Sequence, residues 1–179
     1  MINKATERWD NYLLKLPLTE PILDLGCATG RLLRKFPGND YSSLFGFDIS
    51  HSSLKVAYRN TKNKKVSLTQ GFLERLPYKD ASFSTVILSG VLHHLENPSE
   101  ALEEIARILN KQGLFIIADP DFFWGLRHVM NLVLDIYPIF GDRRFYSRKR
   151  TEKLAESAGF RKKDLHRVPL SYILIFERC

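Results

Sequence analysis

The sequence predicts an α/β fold, a parallel sheet covered by helices on both faces, on three observations. Short apolar runs rich in β-branched residues alternate with helix-period segments from Pro21 to Ala118. The first of these runs, Pro21-Ile22-Leu23-Asp24-Leu25, stops abruptly at Gly26 and gives way to a helical pattern, so strand, glycine turn and helix follow one another. Two closing strands are separated by only Pro169-Leu170, a connection too short for anything but an antiparallel pair.

Each element carries its own signal. After the glycine turn a helix is expected over Arg31 to Phe36, and a second strand over Ser43 to Phe47 ends in Asp48. Ser50 then caps a helix whose apolar face includes Leu54, Ala57 and Tyr58. Strands are expected at Val66 to Thr69 and Ser84 to Leu88, between turn-rich stretches. Asn97 as N-cap and Pro98 at the first position open a helix with Leu102, Ile105, Ala106 and Leu109 on one face. Lys111-Gln112-Gly113 ends it and leads into a fifth strand, Leu114 to Ala118. A helix from Ser147 to Ala158 stops at Gly159, and the closing strands run from Lys162 to Val168 and from Ser171 to Phe176. Right-handed crossovers between successive parallel strands place the helices on both faces.

The 179 residues suit one domain, and no repeat, linker or low-complexity tract divides them. The only cysteines, Cys27 and Cys179, supply neither a disulfide framework nor a four-cysteine metal site. With no apolar signal core near the N-terminus and no run long enough to span a bilayer, a soluble, cytoplasmic protein is expected, attached at most to a membrane surface. The net charge of +7 is concentrated late: ten Lys/Arg against four acids lie between Gly141 and Arg167. That excess reads either as a site for an anionic partner or as a solvated basic face.

The chemistry centres on Asp24-Leu25-Gly26-Cys27-Ala28-Thr29-Gly30. Gly26 and Gly30 allow backbone geometry and close approach that side chains obstruct, and free N–H groups at a helix start suit an anionic group. Asp48 ends the next strand, where a carboxylate can accept both hydroxyls of a ribose. A dinucleotide site wants G-x-G-x-x-G, and Ala28 stands where the middle glycine belongs. Asp24, two positions before the first glycine, instead suits a ligand carrying an ammonium group.

These residues resemble class I S-adenosylmethionine-dependent methyltransferases, especially the small-molecule branch that includes ubiquinone and menaquinone biosynthesis enzymes. The likeness runs from Ile22 to Pro120 through Ile22–Gly30, Phe45-Gly46-Phe47-Asp48-Ile49-Ser50, Leu76-Pro77-Tyr78 with Ser82-Phe83, Val91-Leu92-His93-His94-Leu95 and Leu109–Leu114. It implies a three-layer, Rossmann-like sandwich with a seven-stranded, mostly parallel sheet and an antiparallel last strand. It implies S-adenosylmethionine as methyl donor, no metal, and Asp24, Gly26, Cys27, Ala28 and Gly30 around its methionine portion. Asp48 would hold the ribose, Ile49 would pack on the adenine, and Ser89 would lie beside the sulfonium. Ala28 departs from the family's usual glycine, Ser84 from a frequent acid, and Phe72 from an aspartate that many relatives turn to the adenine amine. Phe72 and Leu73 would therefore give aromatic or backbone contacts there.

Methyl transfer needs the acceptor positioned and, for some acceptors, deprotonated. His94 and His93 follow the fourth strand, where either an imidazole accepts a proton or the pair serves local hydrogen bonding and packing. No Asp/Asn-Pro-Pro-aromatic tetrad marks methylation of base amino groups, and Cys27 sits in the cofactor loop rather than at a nucleophile's position. The expected acceptor is a small, hydrophobic or amphiphilic molecule under a lid formed by residues 120–146. There Phe122, Leu126, Val129, Met130, Val133 and Tyr137 recur at helical spacing, with Arg127, Asn131 and Asp135 as a polar stripe. Such a helix covers an acceptor, lies on a membrane surface or packs on its own core. Asp121, Arg143, Arg144 and Tyr146 are the candidate acceptor contacts, because arginine between aromatics suits carboxylate or phosphate. The competing readings are a noncatalytic binder of anionic lipid or nucleic acid and an RNA methyltransferase, although the base-stacking pattern of a dedicated RNA surface is weak.

Overall fold

The computed structural model describes residues 2–37, 41–136 and 143–179. Helix α1 (Ile2–Leu13) precedes β1 (Ile22–Leu25), β2 (Leu44–Asp48), α2 (His51–Asn60), β3 (Val66–Gln70) and β4 (Phe83–Ser89). Then come α3 (Pro98–Ile108), β5 (Leu109–Pro120), α4 (Trp124–Ile136), α5 (Arg148–Ser157), β6 (Phe160–Val168) and β7 (Ser171–Arg178). The strands form one seven-stranded sheet in the order β3-β2-β1-β4-β5-β7-β6. Strands β1 to β5 pair in parallel, and β7 runs antiparallel to both β5 and β6. The strand order reverses between β1 and β4, and their carboxyl ends open the crevice where such sheets bind ligands.

Alternation along the central strands sorts the core into two layers. Leu23, Leu25, Phe115 and Ile117 face a cluster with Leu102 and Ile105 of α3 and Ala155 of α5. Ile22, Ile116 and Ala118 face the opposite cluster with Trp9 and Leu13 of α1 and Leu54 of α2. Full burial of the central strands on both faces is what a helix-covered parallel sheet requires.

Several local expectations change. The helix expected over Arg31 to Phe36 is a single 3-10 turn, Leu33–Lys35. Pro37, one residue beyond it, disfavours helical geometry at Phe36, whose ring is buried with Leu32 and Leu33. Tyr58 is exposed, so the buried face of α2 is Leu54 and Ala57. Asn97 makes no backbone cap; its amide donates to the Glu100 carboxylate instead. β5 starts at Leu109, and Lys111–Gly113, with Gln112 at φ 63°, interrupts the register between Phe83↔Leu109 and Thr85↔Leu114.

Helix α1 has no counterpart in the sequence reading. Its Asp10, fully buried, pairs with Arg31 and with Lys35 at 2.8 Å, and Trp9 Nε1 donates to Ser171 Oγ at 3.0 Å. Helix α4, for which the sequence left three settings open, turns part of its polar stripe to the protein. Arg127 and Asn131 of the polar stripe point inward: Arg127 donates to Phe122 O at 2.8 Å, and the Asn131 amide exchanges two hydrogen bonds with the Phe145 backbone. Val129 and Leu132 consequently stand 60% and 62% exposed. Tyr137, Phe140, Gly141 and Asp142, which belong to the expected lid and its arginine-aromatic cluster, lie outside the described residues.

The late basic run divides. Arg161, Lys162 and Lys163 on the edge strand β6 pair with Glu177 or Glu152, and Arg148 pairs with Glu152 at 2.8 Å. Charged residues on an edge strand discourage pairing with another sheet, so this part needs no ligand to explain it. Among the described residues no helix is long and apolar enough to cross a membrane.

Candidate functional site

The loop after β1 is held from both sides. Gly26 N and Cys27 N donate to Phe47 O at 2.8 and 3.0 Å, which docks the turn on the end of β2. The Asp48 carboxylate then receives Ala28 N at one oxygen and Ser50 N at the other, both at 2.8 Å. One side chain thereby fixes the glycine loop and the start of α2. Each of its oxygens retains lone-pair capacity for a ligand hydroxyl.

Close approach explains the glycine at 26. Its φ is 69°, and a Cβ there would lie 2.3 Å from Val91 Cγ2. Ala28 adopts φ 46° without that freedom, the geometry a glycine would take at lower cost. The Asn60 amide donates to Thr29 O at 2.8 Å and ties the loop to the end of α2.

Beyond the loop lies a cleft of about 520 Å³, a volume suited to a cofactor. Of the residues expected at the cofactor, Gly26, Ala28, Asp48, Ile49, Phe72 and Leu73 line it. Ile49 and Phe72 are 59% and 64% exposed, two large apolar groups flanking the same opening, as expected around a flat ring. His94 and Arg143 line the cleft too, and so do Gly90, Leu95, Glu74 and Glu96, which the sequence reading did not single out.

Other expected residues support the cleft from behind. Asp24 is buried beneath the loop, and burial pushes its carboxyl up to about 7 against the opposing pull of Arg31, with Asp10 and Asp48 adding to the rise. A buried acid so placed gains most from a cationic ligand group. Cys27 turns its sulfur toward Gly46, where a Cβ would lie 2.9 Å away, and burial raises its thiol far above the ordinary range. It contributes backbone to the loop and no nucleophile. Gly30, at φ 74°, permits close packing on Ala57. Ser89 Oγ receives Arg31 Nη2 at 3.5 Å. Arg31 therefore links α1, the loop and the end of β4, a role visible in sequence only if the Trp9 and Leu13 spacing is read as a helix face.

The two histidines separate. His93 Nδ1 lies 2.9 Å from Asp119 Oδ1, its ring stacks on Phe145, and its carbonyl receives Arg143 N and Arg144 N at 2.8 and 3.1 Å. It braces the segment that carries Arg143, while His94 faces the cleft. Of the expected acceptor residues, Arg143 lines the cleft, Arg144 and Tyr146 line a neighbouring cavity, and Asp121 lies 3.5 Å from Arg127. Among the described residues no group of three or more His, Cys, Asp or Glu side chains is arranged to hold a metal ion.

Residues 23–117 match the family described as "Methyltransferase domain". An uncharacterized protein of Methanocaldococcus jannaschii is 30% identical over 141 residues, which cover 78% of this chain and 63% of that protein. A demethylmenaquinone methyltransferase of Chlorobaculum tepidum is 29% identical over 102 residues, 55% of this chain and 40% of that one. The chain thus spans less than two thirds of the length of the curated relatives it matches first. The solved S-adenosylmethionine dependent methyltransferase from Mesorhizobium loti has the same fold, with a TM-score of 0.80 at 16% identity over 99% of this chain and 100% of that one.

Proposed function

The chain belongs to the methyltransferase-domain family, and from that premise we propose that it transfers a methyl group from S-adenosylmethionine to a small, hydrophobic or amphiphilic acceptor. The observation that carries this reading is the cleft of about 520 Å³ bounded by Gly26, Asp48, Ile49 and Phe72. Bound there, the cofactor supplies a methyl carbon already activated on its sulfonium. Asp48 accepts the ribose hydroxyls, Ile49 and Phe72 enclose the adenine, and Asp24 compensates the methionine ammonium from below the loop. Among the groups that line the cleft, His94 is the one we assign to take a proton from the acceptor, and His93 acts through Arg143 by holding its backbone.

The acceptor class rests on α4. Its outward face, with Trp124 at 72% exposure and Val129 and Leu132 beside it, suits the interfacial region of a bilayer. The net charge of +7 favours an anionic leaflet. We therefore include peripheral membrane contact from the cytoplasmic side in the reading.

Incubation with S-adenosylmethionine labelled in its methyl group, separately with lipid extract and with RNA, tests the proposal. Label moving into the organic phase, and lost on His94→Ala or Asp48→Ala, is expected. Label found only in RNA would replace the acceptor assignment, and label transferred to neither fraction would contradict the reading.

A further inference from the structure

A second cavity, of about 390 Å³, lies between the first turns of α3 and α5 and the inner face of α4. Arg127, Arg144 and Arg150 line it together with Tyr146, Ser147 and Ser99, and among the described residues no carboxylate is part of the lining. It is a different space from the cofactor cleft. The backbone from Arg143 to Tyr146 forms the partition, with Arg143 on the cleft side and Arg144 and Tyr146 on the other.

Three guanidinium groups around one cavity repel each other unless something anionic offsets them, and the counter-ions present are weak. Arg127 is 3.5 Å from Asp121, at the outer range of an ion pair. Arg144 is 3.8 Å from Asp135 with both side chains more than half exposed, an arrangement that contributes little in water. Among the described residues no carboxylate pairs with Arg150. The fully formed ion pairs of this region, Arg148 with Glu152 and Arg161 with Glu177, lie outside the cavity. Among the described residues the three lining cations are thus weakly compensated. Two helix starts border the cavity: Ser99 in the first turn of α3, with a hydroxyl and a backbone N–H, and Ser147, the N-cap of α5, whose hydroxyl receives Arg150 N at 3.3 Å. Arg144 and Arg150 also lie near enough to the Tyr146 phenol to oppose the rise that burial causes in its pKa.

We propose that this cavity binds a phosphate group, held by Arg127, Arg144 and Arg150 with the Tyr146 hydroxyl, on the far side of the Arg143–Tyr146 segment from the methyl-transfer cleft. Planar guanidinium forks match phosphate oxygens in pairs, and three of them exceed what one carboxylate can satisfy. The phosphate belongs either to a soluble ester or to a phospholipid headgroup, and the two share this chemistry. The proposal does not depend on methyl transfer, since none of its residues lines the cofactor cleft.

The test uses the full chain with three kinds of probe: inorganic pyrophosphate by calorimetry, and sedimentation with phosphatidylcholine vesicles either containing or lacking phosphatidic acid. Arg150→Gln is compared with Lys149→Gln, which removes the same charge at an exposed neighbour that does not line the cavity. Expected is a loss of about tenfold or more in affinity for Arg150→Gln against less than about twofold for Lys149→Gln, with S-adenosylhomocysteine binding and the thermal midpoint unchanged in both. Loss of pyrophosphate binding assigns a soluble ester; loss confined to phosphatidic acid vesicles assigns a headgroup. Failure of the wild type to bind either, or equal losses in the two variants, overturns the proposal. Because the cofactor titration is read separately, a protein that binds phosphate but not S-adenosylhomocysteine would refute the methyltransferase reading and leave the phosphate site standing.

Discussion

At the residue scale Asp48 has one observed job and one proposed, and they can be separated. Its carboxylate holds Ala28 N and Ser50 N, so Asp48→Ala removes two charge-assisted hydrogen bonds as well as the proposed ribose contact. The expected loss is about 1.5–3 kcal/mol of stability together with at least tenfold in S-adenosylhomocysteine affinity. Asp48→Asn, which keeps an acceptor oxygen, should recover part of both, and chemical denaturation with calorimetry on the two variants checks this. On the proposed reading, Asp24 should make affinity for the cofactor pH-dependent. Its carboxyl titrates near 3.8 when unfolded and about 7 when folded, so between those values the native state holds the extra proton and stability falls as pH rises. A ligand ammonium needs the ionised form. Affinity for S-adenosylhomocysteine should therefore increase from pH 6 to about 7 and level off above it. Asp24→Asn should flatten the profile, and a flat wild-type profile would contradict the assignment. Ala28, at φ 46°, should tolerate Ala28→Gly with a gain of about 0.5–1 kcal/mol measured by denaturant unfolding.

At the element scale the informative case is α4, because hydrophobic periodicity identifies the helix and leaves its rotation open. The sequence alternates apolar and polar stripes of similar strength, and periodicity does not say which one meets the protein. Asn131 decides it: its amide satisfies both the N–H and the C=O of Phe145, groups that an apolar side chain would leave unpaired in a partly buried place. The outward stripe is then apolar by consequence. Trp124→Ala should reduce sedimentation with anionic vesicles by about threefold or more without shifting the thermal midpoint, since the ring is exposed in the folded chain. Unchanged sedimentation would remove membrane contact from the account. Helix α1 was missed for a related reason: its anchoring depends on Asp10 reaching Arg31 and Lys35, contacts with no local sequence signal. The segment Leu76 to Tyr78, by contrast, matched on sequence, and Arg107 holds it by donating to Leu76 O and Tyr78 O at 3.0 and 2.8 Å.

For the whole molecule, the sheet and the glycine-loop edge of the cleft were legible because each depends on short-range pattern. A buried run ending in glycine, an acid closing the next strand and a two-residue hairpin connection are all local. The parts that define the acceptor side were not, since they arise where distant segments meet: His93 with Asp119, Arg143 beside His94, and three arginines from α4, α5 and the stretch before α5 around one cavity. The central claim concerns the cleft at the carboxyl ends of β1 to β4. Titration calorimetry of the full chain with S-adenosylhomocysteine tests it most directly. One binding site per chain is predicted, weakened at least about tenfold by Asp48→Ala; absence of binding to the folded wild-type protein would contradict the account.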